Sequence, residues 1–534
     1  LAIFQGRAIK LSWIGKKPIE KQHIRIFALL LTPWTLLKVE VTESEEDKIN
    51  MTFSVPQDNR QFIEDLKQYN ELVTIDQEVD WDLEMGAILR RACEKKSAAP
   101  FFQKVKDYPG WRILGAPMAT YERLAIGMGL DPSSSIAILQ NEYLERTKTP
   151  AGKPILIDRK NAPCKRNVIS GKKINLFDLP APMVHGGDGG RYLCTWHMLV
   201  TKSLDNSNYT NWGMYRQMVA DERTLVGAVH PSSDLGRMLK QEYEPRNMPV
   251  PFATVIGPSP MEALAACSPT PIQEFEFAGQ LMKSPVALTE CETSDLLVPA
   301  QAEIIIEGEI MPNVGIEEGP FGEYTGYRSS LRAPRVTFRV NAISYRENPV
   351  LTMTNMGVPV DEGQLLRSFT LALEVRRLLE SQNIPVTGVY MLPESTHHLM
   401  VVRTKVQYAN IAKQIANLVF GGKSGQWFHM LIVVDEDTNI YSKDEIIHAL
   451  STKCHPINGI RQYPNDIGTA HTPFSSPFER QWNIGHKVLF DCTWPPNWTE
   501  NEKPIKICFA NEEIYPKEIQ EKVLKNWQGY GFKD

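Results

Sequence analysis

The chain has 534 residues, 42% of them hydrophobic, with a formal net charge of -5 and a pI near 6.2. That length exceeds what one hydrophobic core organises, so two or three domains are expected, and the slightly acidic balance lacks the basic stripe of a nucleic-acid binder. A small-molecule partner is the consequence. Eight cysteines (Cys93, Cys164, Cys194, Cys267, Cys291, Cys454, Cys492, Cys508) stand singly, without the close pairs that hold structural zinc; this fits a reducing, cytoplasmic setting in which each is a small buried residue.

Residues 1–50 differ in character from the rest of the chain. No acid precedes Glu20, Arg7, Lys10, Lys16 and Lys17 are basic, and the apolar run 26–37 is broken by Pro33 and too short to span a membrane. They read as an extension outside the fold, with a mitochondrial presequence as the alternative. From Met51, a helical repeat through Phe62, Leu66 and Tyr69, a strand over 72–75 and a helix over 83–92 predict an α/β opening domain over 51–164. Its last stretch, 150–164, is a Pro-, Ala- and Lys-rich connection.

A β-rich domain comes next over 165–358, with strands expected at 198–201, 225–229, 252–256, 303–306 and 336–340. Over 361–382, Leu365, Leu366, Phe369, Leu373, Val375 and Leu379 recur near helical spacing until Pro385 stops the run. One long helix, within a linking segment 359–384, therefore divides two domains. Beyond it, strands at 386–391, 398–402 and 430–434 alternate with helical segments at 406–418 and 443–450, an α/β domain over 385–534 that ends in an amphipathic stretch, 516–528. The fold class is thus a multidomain mixture of α+β and α/β.

Glu318-Gly319-Pro320-Phe321-Gly322-Glu323 holds two carboxylates on a Gly/Pro turn, where backbone geometry rather than helix periodicity sets their separation. Both can face one substrate. Upstream, Arg216 in Asn211-Trp212-Gly213-Met214-Tyr215-Arg216 offers a planar two-donor fork for a substrate carboxylate. Together they predict chemistry on a carboxylic acid; the bland alternative is a surface turn with two solvated acids and an unrelated arginine.

Several separated motifs, in order, carry a resemblance: Ala162-Pro163-Cys164-Lys165, His185-Gly186-Gly187-Asp188-Gly189-Gly190, Thr210-Asn211-Trp212 through Arg216, and Glu318 through Glu323 followed by Gly326-Tyr327. From about Phe53 to its end the chain resembles the UbiD family of decarboxylases that use prenylated flavin mononucleotide, and within it the fungal ferulic acid and the protocatechuate-type decarboxylases. The resemblance implies a central split β-barrel that binds the flavin, a linking helix and a C-terminal dimerisation domain. It also implies that Arg216 grips the substrate carboxylate, Glu318 fixes Arg216, and Glu323 delivers a proton to the carbon vacated by CO2. Decarboxylation at an sp2 carbon leaves an electron pair that no side chain can delocalise, so an electron-sink cofactor is required. A proton donor beside another acid also needs a raised pKa.

Further site residues are implied by the same resemblance. The cofactor would contact Asn211, Gly213, Met214, Tyr215, Arg216, Ser233, Asp234, Ser268, Pro269, Glu274 and Lys423, with a flavin prenyltransferase supplying it. Mn2+ or Mg2+ would be held by Asn211, Glu274 and a third ligand; Asp234 stands where the family usually has histidine, with His230 as the other candidate and a helix N-cap as the plain role for Asp234. K+ is usual in the family beside the phosphate, although Cys267 stands where serine is common. Lys423 also resembles the end of a phosphate loop, but Asn417 occupies that loop's first glycine position. His230, Tyr324, Trp427 and His429 match substrate-pocket positions that are apolar in cinnamate enzymes, which favours a protocatechuate- or gallate-like hydroxybenzoate, or a heteroaromatic acid, over cinnamic or ferulic acid. A reversible decarboxylase acting as a homodimer, with no nucleic-acid or membrane partner, is the expectation. A flavin oxidoreductase or a non-catalytic flavin-binding subunit are the alternatives, the first weakened by the lack of a Gly-x-Gly-x-x-Gly after a strand.

Overall fold

The computed structural model describes residues 3–4, 7–8, 53–206, 208–328, 331–358, 360–499 and 501–533. The chain divides into two units, 1–52 and 53–534. In the first, Ile3–Phe4 pairs with Arg7–Ala8; the expectation of an extension over 1–50 otherwise lies outside the described residues. Among the described residues no helix is long and apolar enough to cross a membrane.

The second unit opens with the helix Asn59–Gln68, which is capped by Asp58 and buries Phe62, Ile63 and Leu66. Strands Leu72–Val79 and Ala99–Val105 pair in parallel and flank the helix Glu84–Glu94 in sequence. Their sheet is completed by Arg112–Gly115 and by Val350–Met353, a strand that returns from more than 200 residues downstream to pair in parallel with it. The opening domain is therefore closed by a segment of the middle one.

The middle of the chain forms a nine-stranded antiparallel sheet. Its order is Thr210–Gly213, His197–Lys202, Val250–Ile256, Ile304–Glu318, Ala333–Tyr345, Thr224–Gly227, Gln217–Asp221 and Tyr192–Cys194, with Asn167–Ser170 added on Ala333–Tyr345. Each apolar run expected as a strand falls in this sheet. Two strands are far longer than their runs: Ile304–Glu318 has 15 residues and Ala333–Tyr345 has 13, because beyond the last buried apolar residue, Ile310, the ladder breaks at an irregularity and resumes at Gly315, running to Glu318 opposite Ala333. Thr210–Gly213 and Gln217–Asp221 lie far apart in the sheet order yet are joined by Met214, Tyr215 and Arg216 alone, a link of about 14 Å at most. The sheet is curled, and that short link crosses its mouth.

The long helix runs Glu362–Ser381. Asp361 caps it, accepting from the backbone N–H of Gln364 at 3.1 Å while the Gln364 side chain accepts from that of Asp361 at 3.0 Å. After it comes a five-stranded sheet in the order Val386–Met391, Leu399–Thr404, Met430–Val434, Ile484–Cys492 and Ile460–Ile467. The helix expected from 406 begins at Ile411, because Asn410 adopts a left-handed conformation and 406–410 is irregular. The terminal helix Lys517–Lys525 buries none of its residues. All eight cysteines are free thiols; five are buried, while Cys267, Cys454 and Cys508 are partly exposed.

Candidate active site

Arg216 sits at the mouth of the curled sheet with each of its three guanidinium nitrogens bonded to a carboxylate. Its Nε donates to Glu318 Oε1 at 2.9 Å and its Nη2 to Glu318 Oε2 at 3.0 Å, a bidentate fork, while Nη1 donates to Glu323 Oε1. Burial alone would lower the guanidinium's pKa, but the Glu323 and Glu318 carboxylates outweigh it and hold the charge firmly on. Glu318 is completely buried, accepts from the Tyr192 hydroxyl at 2.6 Å, and has Arg335 Nε at 3.9 Å. It is the last residue of strand Ile304–Glu318 rather than a loop residue, which fixes its backbone through pairing with Ala333. Glu323 lies beyond the turn, 4% exposed, with His471 Nδ1 at 3.4 Å.

The Gly/Pro turn is held from behind by the glycine-rich segment after His185. Gly319 has φ +87, and the backbone of Gly189 donates to Pro320 O at 2.7 Å. A Cβ on Gly189 would lie 2.1 Å from Gly319 O, so the approach requires glycine. Asp188 accepts from Gly322 N–H at 3.0 Å and from His185, whose other ring nitrogen meets Asn355 Oδ1 at 2.7 Å. Phe321 is buried against Tyr192 and under Arg216, whose guanidinium carbon is 5.2 Å from its ring centre.

A cavity of about 810 Å3 opens from this triad. Of the residues singled out in the sequence, Asn211, Gly213, Met214, Tyr215, Arg216, His230, Ser233, Asp234, Ser268, Pro269, Glu274, Glu323, Tyr324, Lys423 and Trp427 all line it. Glu318 stands behind Arg216, and His429 is also absent from the wall: its ring stacks on His398 at 4.4 Å, and its Nε2 faces Thr472 Oγ1 at 3.3 Å. Burial drives the imidazole of His429 down to about 3 and that of His398 to about 4, so both are neutral. His230 is bound at one ring nitrogen to Ser232 at 2.8 Å and at the other to Asn483 at 3.2 Å, which leaves it no free lone pair for a cation.

At the other end of the cavity Glu274 is a buried carboxylate without a close counter-charge, which a cation would provide. Glu274 accepts from Trp212 N–H at 3.3 Å, yet burial pushes its carboxyl up to about 7. The buried amide nitrogen of Asn211 has no hydrogen-bond partner. Asp234 pairs with Arg237 and has Lys423 Nζ at 3.6 Å. It is the first residue of the helix Asp234–Met238; the N-cap is Ser233, whose Oγ accepts from Gly236 N–H at 3.1 Å. Among the described residues no three His, Cys, Asp or Glu side chains surround a metal position. The donor set is one amide and two carboxylates, all hard ligands, so it fits an oxygen-loving divalent ion whose remaining ligands come from a bound anion.

Sequence reasoning missed Tyr192, Arg335, His471 and Arg367, all of which touch the triad or line the cavity. The contacts of Tyr192 and His471 span more than a hundred residues of chain, and none of the four residues lies in a motif whose spacing announces it.

Three sequence models for 3-octaprenyl-4-hydroxybenzoate carboxy-lyase match the chain in order: its N-terminal domain over 63–142, its Rift-related domain over 156–359 and its C-terminal domain over 364–492. The chain is 29% identical over 495 residues to the pyrrole-2-carboxylic acid decarboxylase of Pseudomonas aeruginosa, covering 89% of this chain and 99% of that one. It is 30% identical over 497 residues to ferulic acid decarboxylase 1 of Saccharomyces cerevisiae, covering 89% and 98%. Its fold matches the closed form of Sedimentibacter hydroxybenzoicus vanillic acid decarboxylase with a TM-score of 0.81 at 27% identity, over 89% of this chain and 99% of that one. It also matches an evolved dimeric form of the UbiD-class enzyme HmfF from Pelotomaculum thermopropionicum in complex with prenylated FMN, with a TM-score of 0.72 at 26% identity, over 85% and 97%.

Proposed function

The chain belongs to the UbiD family of carboxy-lyases, and from that premise we propose that it is a prenylated-FMN-dependent, reversible decarboxylase of an aromatic or heteroaromatic carboxylic acid. The observation that carries the reading is Arg216 clamped between Glu318 and Glu323 at the wall of a cavity. The curled sheet is read as the flavin-binding split barrel. The domain boundaries 51–164, 165–358, 359–384 and 385–534 are kept, with a homodimer formed through the last.

Bound prenylated FMN supplies the electron sink for the carbon that loses CO2. Asn211, Glu274 and Asp234 are assigned to Mn2+ or Mg2+ at its phosphate, with Lys423 as a second positive charge; Ser268 and Pro269 mark the place for K+. The buried Glu274, whose carboxyl has no close counter-charge, supports that assignment.

Each guanidinium nitrogen of Arg216 already faces a carboxylate, so the substrate is read as taking the place of Glu323 on Nη1 while Glu318 and Tyr192 hold the rest of the guanidinium still. Glu323 then loses its cation and stands beside two other carboxylates, an environment that favours a proton on it. That proton goes to the carbon from which CO2 has left. His471, lining the cavity beside Glu323, is placed to return a proton for the next cycle.

The polar wall of His230, Tyr324 and Trp427 supports a ring with polar substituents, of which protocatechuate- and gallate-type hydroxybenzoates are the simplest, over cinnamic or ferulic acid. An oxidoreductase or a flavin-binding subunit has no use for an arginine shared by two buried acids. The test is Glu323→Gln in protein produced with a flavin prenyltransferase: CO2 release should fall by about 10²–10⁴-fold with flavin content unchanged, since a positioned proton donor contributes about that much. Full activity in the variant refutes the role.

A further inference from the structure

Arg367 projects from the first turns of the long helix into the same cavity, and its guanidinium makes no hydrogen bond or ion pair among the described residues. It packs on the ring of Trp427, 4.3 Å from the guanidinium carbon. The arginines at the triad, by contrast, have acidic partners: Arg216 has two, and Arg335 faces Glu318. An arginine that stacks on an aromatic ring and turns its donors to a cavity is a site awaiting an acceptor, because a fork of five N–H groups removed from bulk water is costly until it is filled. Burial lowers the Arg367 pKa and outweighs the opposing pull of Cys267, Glu374, Tyr324 and Tyr215.

Two possible acceptors compete, the cofactor and the substrate. Glu374 lies seven residues further along the helix, two turns or about 10 Å from Arg367, and its carboxylate holds the Ser424 hydroxyl next to Lys423. That end of the cavity, with Lys423, Asp234 and Glu274, is the one assigned to the phosphate. Arg367 lies between the two ends, with Cys267 and Glu374 acting on it from one side and, on the other, Tyr324, the residue after Glu323, and the ring of Trp427. Through Tyr324 it reaches the end that holds the proton donor and the reacting ring, and its guanidinium is hydrogen-bonded to neither Cys267 nor Glu374.

We propose that Arg367, stacked on Trp427, is the binding site for a second carboxylate on the substrate ring, so that the preferred substrate class is an aromatic or heteroaromatic dicarboxylic acid. The inference rests on the decarboxylase reading and narrows it. One carboxylate takes Arg216 and the other takes Arg367. The first leaves as CO2, its bonding pair stays with the ring carbon and receives the Glu323 proton; the second is retained, and the product is a monocarboxylate.

The test uses flavin-loaded enzyme and paired probes: pyrrole-2-carboxylate against pyrrole-2,5-dicarboxylate, and 4-hydroxybenzoate against benzene-1,4-dicarboxylate. The wild type should favour at least one dicarboxylate by about 10- to 100-fold in kcat/KM, as a charge-assisted bidentate contact provides. Arg367→Gln should raise KM for that dicarboxylate by about tenfold or more and leave kcat/KM for the monoacid within about threefold, with Arg367→Lys recovering part of the difference. Flavin absorbance and mass, read on each variant, should not change. Equal handling of mono- and dicarboxylates by the wild type overturns the proposal, as does an Arg367→Gln variant that loses flavin or slows both substrates alike. If no acid is turned over, the decarboxylase reading fails, and calorimetric titration with the same probes still decides this one: tighter dicarboxylate binding that Arg367→Gln abolishes supports it, and equal binding sinks it. Should the variant not fold, the wild-type comparison alone decides.

Discussion

Replacing Glu274 by glutamine should stabilise the protein in the absence of metal and remove its response to metal. The side chain is 7% exposed, and burial raises its carboxyl from the ordinary 4.5 to about 7. The folded state therefore holds the proton more tightly than the unfolded chain does. For a carboxylate shifted upward the sign is unfavourable: ionisation costs the fold nothing below the unfolded value, an increasing amount between about 4.5 and 7, and its full amount above that. At about 1.4 kcal/mol per unit, the shift amounts to about 3 kcal/mol near pH 8. Glutamine keeps the acceptor for Trp212 N–H, 3.3 Å away in the wild type, and carries no charge to bury. In thermal unfolding of apo-protein near pH 8, Glu274→Gln should melt a few degrees above wild type, and the gap should close as the pH is lowered to about 5. Added Mn2+ should raise the wild-type transition and leave the variant's in place, because the ion replaces the missing counter-charge. An equal Mn2+ response in both proteins, or a variant less stable than wild type near pH 8, would refute both the burial argument and the ligand assignment.

Gly189→Ala puts a methyl 2.1 Å from Gly319 O and must push the acid-bearing turn away, so activity should fall by about tenfold or more with a stability loss of about 1–3 kcal/mol; Gly186→Ala, with nothing within 4 Å of its added methyl, should be neutral in both assays. Tyr192→Phe deletes the 2.6 Å donor to buried Glu318 and should lower kcat by about tenfold while KM and flavin content stay close to wild type, as measured by steady-state kinetics and absorbance. An unchanged kcat would mean that Glu318 holds Arg216 without help from behind.

The parts of this fold that could be read from sequence are those whose signal is local. The helix Glu362–Ser381 shows its apolar spacing and its Asp361 cap, and the two acids flanking Gly-Pro-Phe-Gly stand out because Gly and Pro fix a turn. Strand length was not legible past Ile310, because from there the ladder with Ala333–Tyr345 breaks, resumes at Gly315 by backbone pairing, and the side chains before Glu318 are partly or fully exposed with no apolar alternation. Nor was the link between Tyr192 and Glu318, which joins positions 126 residues apart, or the return of Val350–Met353 to the opening domain. Arg367 was invisible for another reason. In a helix pattern a polar residue between Leu366 and Ser368 reads as a solvated face, and only the packing of Trp427 over it makes it part of a cavity. His429 shows the converse: Gln426 and Trp427 shortly before it line the cavity, yet strand Met430–Val434 begins right after it, and its ring is turned to stack on His398.

The charge balance of the cleft connects the triad to the unpaired arginine. Arg216 and Arg335 face Glu318 and Glu323, two positive charges against two negative, while burial lowers the pKa of both His230 and His471 and favours their neutral forms. A substrate carboxylate arriving at Arg216 upsets that balance by one negative charge, and in a buried site the cheapest correction is a proton on the acid it displaces. Decarboxylation consumes one proton for each carboxylate lost, so the site takes up on binding what the chemistry later places on carbon. Arg367 stands outside this account, stacked on Trp427 and hydrogen-bonded to none of the acids of the cleft. A monocarboxylic substrate leaves that charge uncompensated beside Tyr324, whereas a second ring carboxylate closes the balance at both ends of the ring.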